Sequence, residues 1–238
     1  MDESAAGEGS PPAGTIPNVL HKKDFWSKEN QKYSRPHYRL KKSARIINRL
    51  TRGKECTLLD VGCGPATLMS LLRPAIQYYG IDIAIHEPAA NLIESDFLDT
   101  SIQFADKRFD IIVAQGVFEY TGNHQAQKFA EIAGLLNDGG LFFVSYVNFD
   151  HRDRYIYWPY SNVQSLGDFR ESLAEHFVIH RFFPTAHNWR HSEPNRKILK
   201  AANMYLNVNI PVISRRLAVE YFFICSPRVT AQRGIVSA

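Results

Sequence analysis

The sequence predicts an α/β fold, a doubly wound and mostly parallel sheet with helices on both faces. Three observations lead to it. Short apolar runs rich in β-branched and aromatic residues alternate with stretches of helical periodicity, the pattern of parallel strands joined by crossover helices. The runs are of the fully buried type, as expected for a sheet covered on both sides. One of them, CTLLDVG, leads into a glycine turn, DVGCGPATL, at the strand-to-helix corner where such sheets bind ligands.

Residues 1–20, beginning MDESAAGEGSPPAGTIP, are acidic, small and rich in Pro and Gly, and are expected to be a disordered tail rather than a secretory signal. Residues 21–54 form an arm and a helix. Phe25 to Tyr33 reads as an ordered arm, and Pro36 introduces a helix whose face carries Leu40, Ala44, Ile47 and Leu50 and which stops at Gly53. Residues 55–238 then form one domain. CTLLDVG is its first strand, and ATLMSLLRP has helical character until Pro74. YYGIDIA, NLIESDF and FDIIVAQGVFEY are the next three strands. A helix near Gln125 to Leu136 places Phe129, Ile132, Ala133 and Leu136 on one side, and the turn NDGG hands it to the strand LFFVSYV. DFRESLAEHF is a helix with Phe169, Leu173 and Phe177 inward, and FVIHRFF and AVEYFFICS are the last two strands. Between them, residues 184–217 are too long for a plain loop. They are expected to form a substrate-side insertion with a helix at KILKAANMYL.

Composition narrows the function classes. Apolar residues make up 45% of the 238 positions, enough for a sizeable core, yet no run approaches the ~20 residues that span a bilayer. Cys56, Cys63 and Cys225 lie far apart without a C-x-x-C pair, which suits free thiols in a cytoplasmic protein. The net charge of +4 conceals an uneven distribution, since residues 21–54 hold twelve Lys or Arg against Asp24 and Glu29. Arg39, Lys42, Arg45 and Arg49 are expected to form a solvated stripe opposite the apolar helix face, with nucleic-acid binding as the lesser alternative.

In the glycine turn, Gly62 and Gly64 let backbone N–H groups approach a ligand. Asp60 ends the strand before the turn, and Asp82 ends the next strand, where a carboxylate can accept hydrogen bonds from ribose hydroxyls. Thr67 stands where the dinucleotide fingerprint has its third glycine, which favours a nucleoside without phosphates over a pyrophosphate.

In LLDVGCGPATL, YGIDIA, IESDF, FDIIVAQGVFEY and DGGLFFVSY, taken in that order, the chain resembles the class I S-adenosylmethionine-dependent methyltransferases over about residues 58–147. The resemblance implies a Rossmann-like seven-stranded sheet whose last strand is antiparallel, pairing FVIHRFF with AVEYFFICS. It implies S-adenosyl-L-methionine as cofactor. By the same resemblance Asp60, Gly62 and Gly64 flank the methionine part, Asp82 binds the ribose and Ile83 packs on adenine. Asp96 then meets the adenine amino group with Phe97 beside it, and Gln115 and Gly116 line the wall. Tyr33 and Arg39 belong to an arm that in relatives often covers the cofactor's carboxylate. Only fourteen positions separate Asp82 from Asp96, with Pro88 among them, so the helix many relatives have there is expected to be shortened or missing.

Methyl transfer is an in-line displacement, and a hydroxyl acceptor needs a base. Asp150, His151 and His124 are the candidates, in that order. They lie near the carboxyl edge of the sheet, with Tyr120, Tyr146, Tyr155, Tyr157, Trp158 and Trp189 available as pocket walls. The favoured reaction is O-methylation of a small molecule, with N- or C-methylation as alternatives. The absence of an Asn/Asp-Pro-Pro-aromatic turn after the fourth strand disfavours an RNA or DNA substrate. A non-catalytic S-adenosylmethionine-binding subunit and a nicotinamide dehydrogenase are the other readings. His176, His180, His187 and His191 fall in pairs at i, i+4 but lack a completing carboxylate, so no metal site is expected. The oligomeric state is not encoded in any of these features.

Overall fold

A computed structural model of the chain describes residues 23–30, 34–36, 38–150, 164–187, 205 and 218–228. The expected tail, Tyr33, the loop residues from His151 to Asn162, Trp189, His191 and the KILKAANMYL helix apart from Tyr205 lie outside the described residues.

Two helices, α1 (Lys23–Asn30) and α2 (Tyr38–Leu50), precede the sheet. The sheet comprises β1 (Cys56–Val61), β2 (Ile76–Asp82), β3 (Leu92–Glu94), β4 (Phe109–Ala114), β5 (Leu136–Val147), β6 (Phe177–His187) and β7 (Ala218–Pro227). Helices α3 (Thr100–Gln103), α4 (Gln125–Leu135) and α5 (Leu166–His176) connect them. Strand order is β3-β2-β1-β4-β5-β7-β6, parallel from β3 through β5, with β7 antiparallel to both β5 and β6. This is the seven-stranded, doubly wound sheet the sequence predicts. The strand order reverses between β1 and β4, and ligands of open α/β sheets bind outside the carboxyl ends of the strands at such a point.

Each face buries its own core. On one side Phe118 of the turn after β4 joins Phe129, Phe142, Tyr146, Phe169, Phe177 and Phe223 of α4, α5 and β5 to β7 in a continuous aromatic cluster. Tyr146 stacks on Phe169 at 4.0 Å between ring centroids, and Phe118 on Phe129 at 4.6 Å. On the other side Ala44 and Ile47 of α2 pack on Leu58, Ile111, Val113, Phe143 and Phe222. Helix α5 starts at Ser165, which caps Asp168 N–H while the Asp168 carboxylate accepts from Ser165 N–H.

Four local expectations are corrected. ATLMSLLRP is not an α-helix but turns with one 3-10 turn at Met69–Leu71. Ala66 adopts φ 52°, a left-handed conformation a right-handed helix cannot pass through, and Pro74 stops recovery beyond it. Leu136 begins β5 directly after α4 by pairing with Phe109, and NDGG is absorbed in an irregular stretch before Leu141 pairs with Ile111. Strand β6 runs through Pro184 to His187, past the expected start of the insertion. The basic stripe is also different. At about 100° per residue, Lys41, Arg45 and Arg49 point to solvent, whereas Arg39 and Lys42 lie on the flank of α2 that meets β6 and β7. Lys42 is buried, donates to the Pro184 carbonyl at 3.2 Å and sits over the Phe183 ring, and burial together with Arg45 lowers its ammonium to about 8.

Phe169 is fully buried among Tyr146, Phe118, Phe129 and Phe223. Phe169→Ala is expected to cost about 3–5 kcal/mol in denaturant unfolding. A cost below about 1 kcal/mol would mean that the aromatic cluster does not anchor α5.

Candidate active site

The crevice begins at the end of β1. Gly62 N–H and Cys63 N–H donate to the Ile81 carbonyl at 2.8 and 3.1 Å, so the chain folds across the end of β2 as it leaves the sheet. Gly62 has φ 70°, and a Cβ there would lie 2.4 Å from Val117 Cγ2. Glycine is therefore required by packing against the β4 side as well as by conformation. Gly64, at φ 52°, donates its N–H to Asp82 Oδ2 at 2.7 Å, and Ala84 N–H donates to Asp82 Oδ1 at 3.0 Å. Each carboxylate oxygen has two lone pairs, so this clamp leaves acceptor capacity for ligand hydroxyls.

Asp60 lies beneath the turn and accepts from the Tyr78 hydroxyl at 2.8 Å. Burial pushes its carboxyl up to about 7, against the pull of Tyr78 and with a further push from the Asp82 charge. Two neighbouring carboxyls inside one crevice wall make it rich in acceptors. The opposite wall follows β4. Gln115 donates through Nε2 to Ser43 Oγ, and its Oε1 is buried with no hydrogen-bond partner among the described residues. Gly116, at φ 70°, donates to Ser145 Oγ at 3.1 Å, and a Cβ on it would stand 3.7 Å from Arg39 Nη1. Arg39 thus reaches the crevice wall, where its Nη1 pairs with Glu220 Oε1 at 2.7 Å.

On the β3 side Ile83, Asp96 and Phe97 are all half-buried. Asp96 Oδ1 accepts from Leu98 N–H at 2.9 Å, and Phe97 packs against the aromatic core. Turns rather than a helix join β2 to β3, the shortening that the close spacing of Asp82 and Asp96 predicts. Helix α1 reaches this edge through Lys23 to Glu94, at 2.5 Å, and meets the turn after β4 through Trp26, whose ring lies edge-on to Tyr120 at 5.2 Å.

Beyond the turn after β4 lies a second polar cluster. Glu119 is buried; its Oε1 accepts from Val147 N–H at 2.9 Å, and its Oε2 has no hydrogen-bond partner among the described residues. Burial pushes Glu119 up to about 7, reinforced by the Glu220 charge and opposed by Arg39. Glu220 in turn accepts from Thr185 Oγ1 at 2.9 Å. The Tyr146 hydroxyl, which accepts from Gln164 N–H at 3.3 Å, is raised by burial, by Glu119 and more weakly by Asp150. Asp150 is half-buried just after β5, and His124 is exposed at the start of α4.

A ligand suited to the first part of this crevice brings donors and positive charge to Asp60, Asp82 and Gln115 Oε1. Among the described residues no α-helix N-terminus stands at the glycine turn to receive a pyrophosphate. A cationic nucleoside such as S-adenosylmethionine fits that donor and acceptor set. Residues 35–191 match the family model described as a methyltransferase domain. The chain belongs to the methyltransferase-domain family. A search of curated proteins finds no match. Among solved structures, the chain resembles a SAM-dependent methyltransferase from Archaeoglobus fulgidus at 14% identity and TM-score 0.61, covering 86% of this chain and all of that one. It also resembles the plantazolicin methyltransferase BpumL, solved with a triazolic desmethylPZN analogue and SAH, at 14% identity and TM-score 0.57, with 89% and 94% of the two chains covered. The CcbJ methyltransferase from Streptomyces caelestis is similar at 12% identity and TM-score 0.56, over 81% and 90%. The fold is that of these methyltransferases, and S-adenosylmethionine is the cofactor that family and crevice chemistry agree on.

Of the residues named from sequence, Asp60, Gly62, Gly64 and Asp82 are tied together at the ends of β1 and β2, and Gln115, Gly116 and Arg39 form the facing wall. Sequence reasoning did not single out Ser43, Tyr78, Ser145, Glu119 or Glu220. Glu119 stands inside FDIIVAQGVFEY, but nothing local distinguishes a buried carboxyl there from a solvated one. His180 is engaged with Ser226 Oγ at 2.7 Å, and no group of three or more metal-ligating side chains occurs among the described residues.

Gly62→Ala is expected to destabilise the fold by about 1–3 kcal/mol through left-handed strain and the Val117 clash together. Adding Val117→Ala should recover the clash part, giving a favourable coupling of about 0.5 kcal/mol or more in a double-mutant cycle. Strict additivity would show that the two side chains do not meet.

Proposed function

We propose that this methyltransferase moves the methyl group of S-adenosylmethionine to a small-molecule acceptor, with a hydroxyl as the favoured target. The observation that carries the reading is the pairing of an acceptor-rich cofactor wall with a separate polar cluster at the ends of β4, β5 and β7. Asp82 accepts from the ribose hydroxyls, Asp60 and the Gly62 to Gly64 turn flank the methionine part, and Ile83, Asp96 and Phe97 frame the adenine. Gln115 and Gly116 form the wall, with Arg39 and Tyr33 as the arm toward the cofactor's carboxylate. S-adenosylmethionine supplies an electrophilic methyl group on a sulfonium. The chain's own residues position the acceptor, keep water away and remove its proton.

Asp150 is the first candidate to take that proton, with His151 and His124 after it, because it follows the end of β5 within electrostatic reach of Tyr146. Glu119 ties the turn after β4 to β5 through Val147 N–H, and the Arg39–Glu220 pair ties α2 to β7. No helix among the described residues is long and apolar enough to cross a membrane. We take the location to be cytoplasmic, supported by three free cysteines, two of them buried.

The test is to offer isotopically labelled S-adenosylmethionine with fractionated metabolites and with RNA, then identify the labelled product. Label in a small molecule supports the proposal, whereas label confined to RNA contradicts it. With the acceptor in hand, Asp150→Asn should lower turnover about 10²–10⁴-fold at unchanged cofactor affinity. Asp82→Asn, which keeps an acceptor for the Gly64 N–H, should weaken cofactor binding by about 1.5–3 kcal/mol. Full turnover in the first variant would remove Asp150 as the base, and full affinity in the second would remove Asp82 as the ribose ligand.

A further inference from the structure

A cavity of about 670 Å³ opens on the far side of α2 from the crevice, lined by Lys41, Arg45, Arg49, Arg52, Arg73 and Asn48, with Ala44 and Leu71 beneath. It lies where α2 ends and where the chain enters β1 and β2, at the amino ends of the strands, whereas the methyl-transfer crevice is at their carboxyl ends. Five cationic side chains line it and no Asp or Glu does, among the described residues. Lys41, Arg45 and Arg49 follow one another at i, i+4, about 6 Å apart along the helix axis. Like charges at that spacing repel, and an anion between them relieves the repulsion.

The floor is fixed by hydrogen bonds rather than left to the side chains. Asn48 donates to the Leu71 carbonyl at 2.9 Å and accepts from Arg73 N–H at 3.0 Å, which ties α2 to the turn before β2. The Arg73 guanidinium is held through Nη2 by the Thr51 carbonyl, by Thr51 Oγ1 at 3.0 Å and by the Lys54 carbonyl at 3.1 Å. Its Nε is buried and has no partner among the described residues. Arg45 lies over the Tyr205 ring at 4.3 Å, which orients its guanidinium.

We propose that this groove binds a small anion carrying two or more phosphoryl groups, at a site separate from the methyl-transfer crevice. Rigid guanidinium forks suit phosphate oxygens, and successive cations one helical turn apart suit a chain of phosphoryl groups. Among the described residues that line the cavity none is aromatic and able to stack a base, which argues against a nucleic-acid strand. A concave site with a fixed floor also differs from the open basic face that meets an anionic bilayer.

The probes are inorganic pyrophosphate and tripolyphosphate, titrated calorimetrically into the full chain at physiological salt. A single-stranded RNA and vesicles containing anionic lipid are run in parallel. Saturable 1:1 binding is expected, tighter for tripolyphosphate than for pyrophosphate. Each contact removed in Lys41→Glu, Arg45→Glu and Arg49→Glu should weaken it about tenfold. Arg49→Gln provides a milder variant should the charge reversals fail to fold. S-adenosylmethionine affinity should be unchanged in all of them. The proposal is overturned by absence of saturable binding, by unchanged affinity in folded variants, by a parallel loss of cofactor affinity, or by RNA or vesicles binding more tightly than tripolyphosphate.

Discussion

The Asp82 carboxylate is the contact on which the crevice depends. One oxygen holds the Gly64 N–H and the other the Ala84 N–H, while the Asp82 carbonyl accepts from Ser95 N–H at 2.9 Å. Three corners of the sheet, after β1, β2 and β3, therefore converge on one residue. Charge-assisted bonds to backbone donors are strong because the acceptor is ionised and largely removed from water. The glycine turn gains its shape from this carboxylate, and the carboxylate is anchored by the turn.

The Asp82 charge has a consequence for Asp60. The two carboxyls share a buried wall, and burial drives Asp60 upward with Asp82 adding to the shift. A second such pair, Glu119 and Glu220, stands on the acceptor side, moderated by Arg39. That pair depends on topology. Antiparallel β7 inserts between β5 and β6 and brings Glu220 opposite Val147, so that a residue near the end of the chain meets Arg39 near its start. The family's antiparallel strand thus couples the arm and helix before the sheet to the edge where the acceptor is proposed to sit.

The strands were legible because burial on both faces leaves continuous apolar runs, and DVGCGPATL because left-handed turns at Gly62 and Gly64 need glycine. The missing helix between β2 and β3 followed from counting residues and noting Pro88. What misled was context that no local pattern carries. ATLMSLLRP has helical periodicity, but Ala66 is held left-handed by the turn before it. Lys42 reads as a surface residue until β6 supplies the Pro184 carbonyl and the Phe183 ring. Glu119 and Glu220 are separated by about a hundred positions, and only the fold makes them neighbours. Within the candidate site, residues attached to the glycine turn were readable and the buried charge network was not.

The most direct measurement of the central claim is the affinity for S-adenosylmethionine between pH 5.5 and 7.5, in the wild type and in Asp60→Asn. In the free protein Asp60 holds its proton until about pH 7. A cationic ligand beside it favours the ionised form, so binding should release a proton and affinity should rise with pH through this window. The account predicts that rise in the wild type, with proton release seen as buffer-dependent binding heat, and a flatter profile in Asp60→Asn. Affinity independent of pH in the wild type, or an identical slope in the variant, would contradict an acceptor-rich wall built to receive a cationic cofactor.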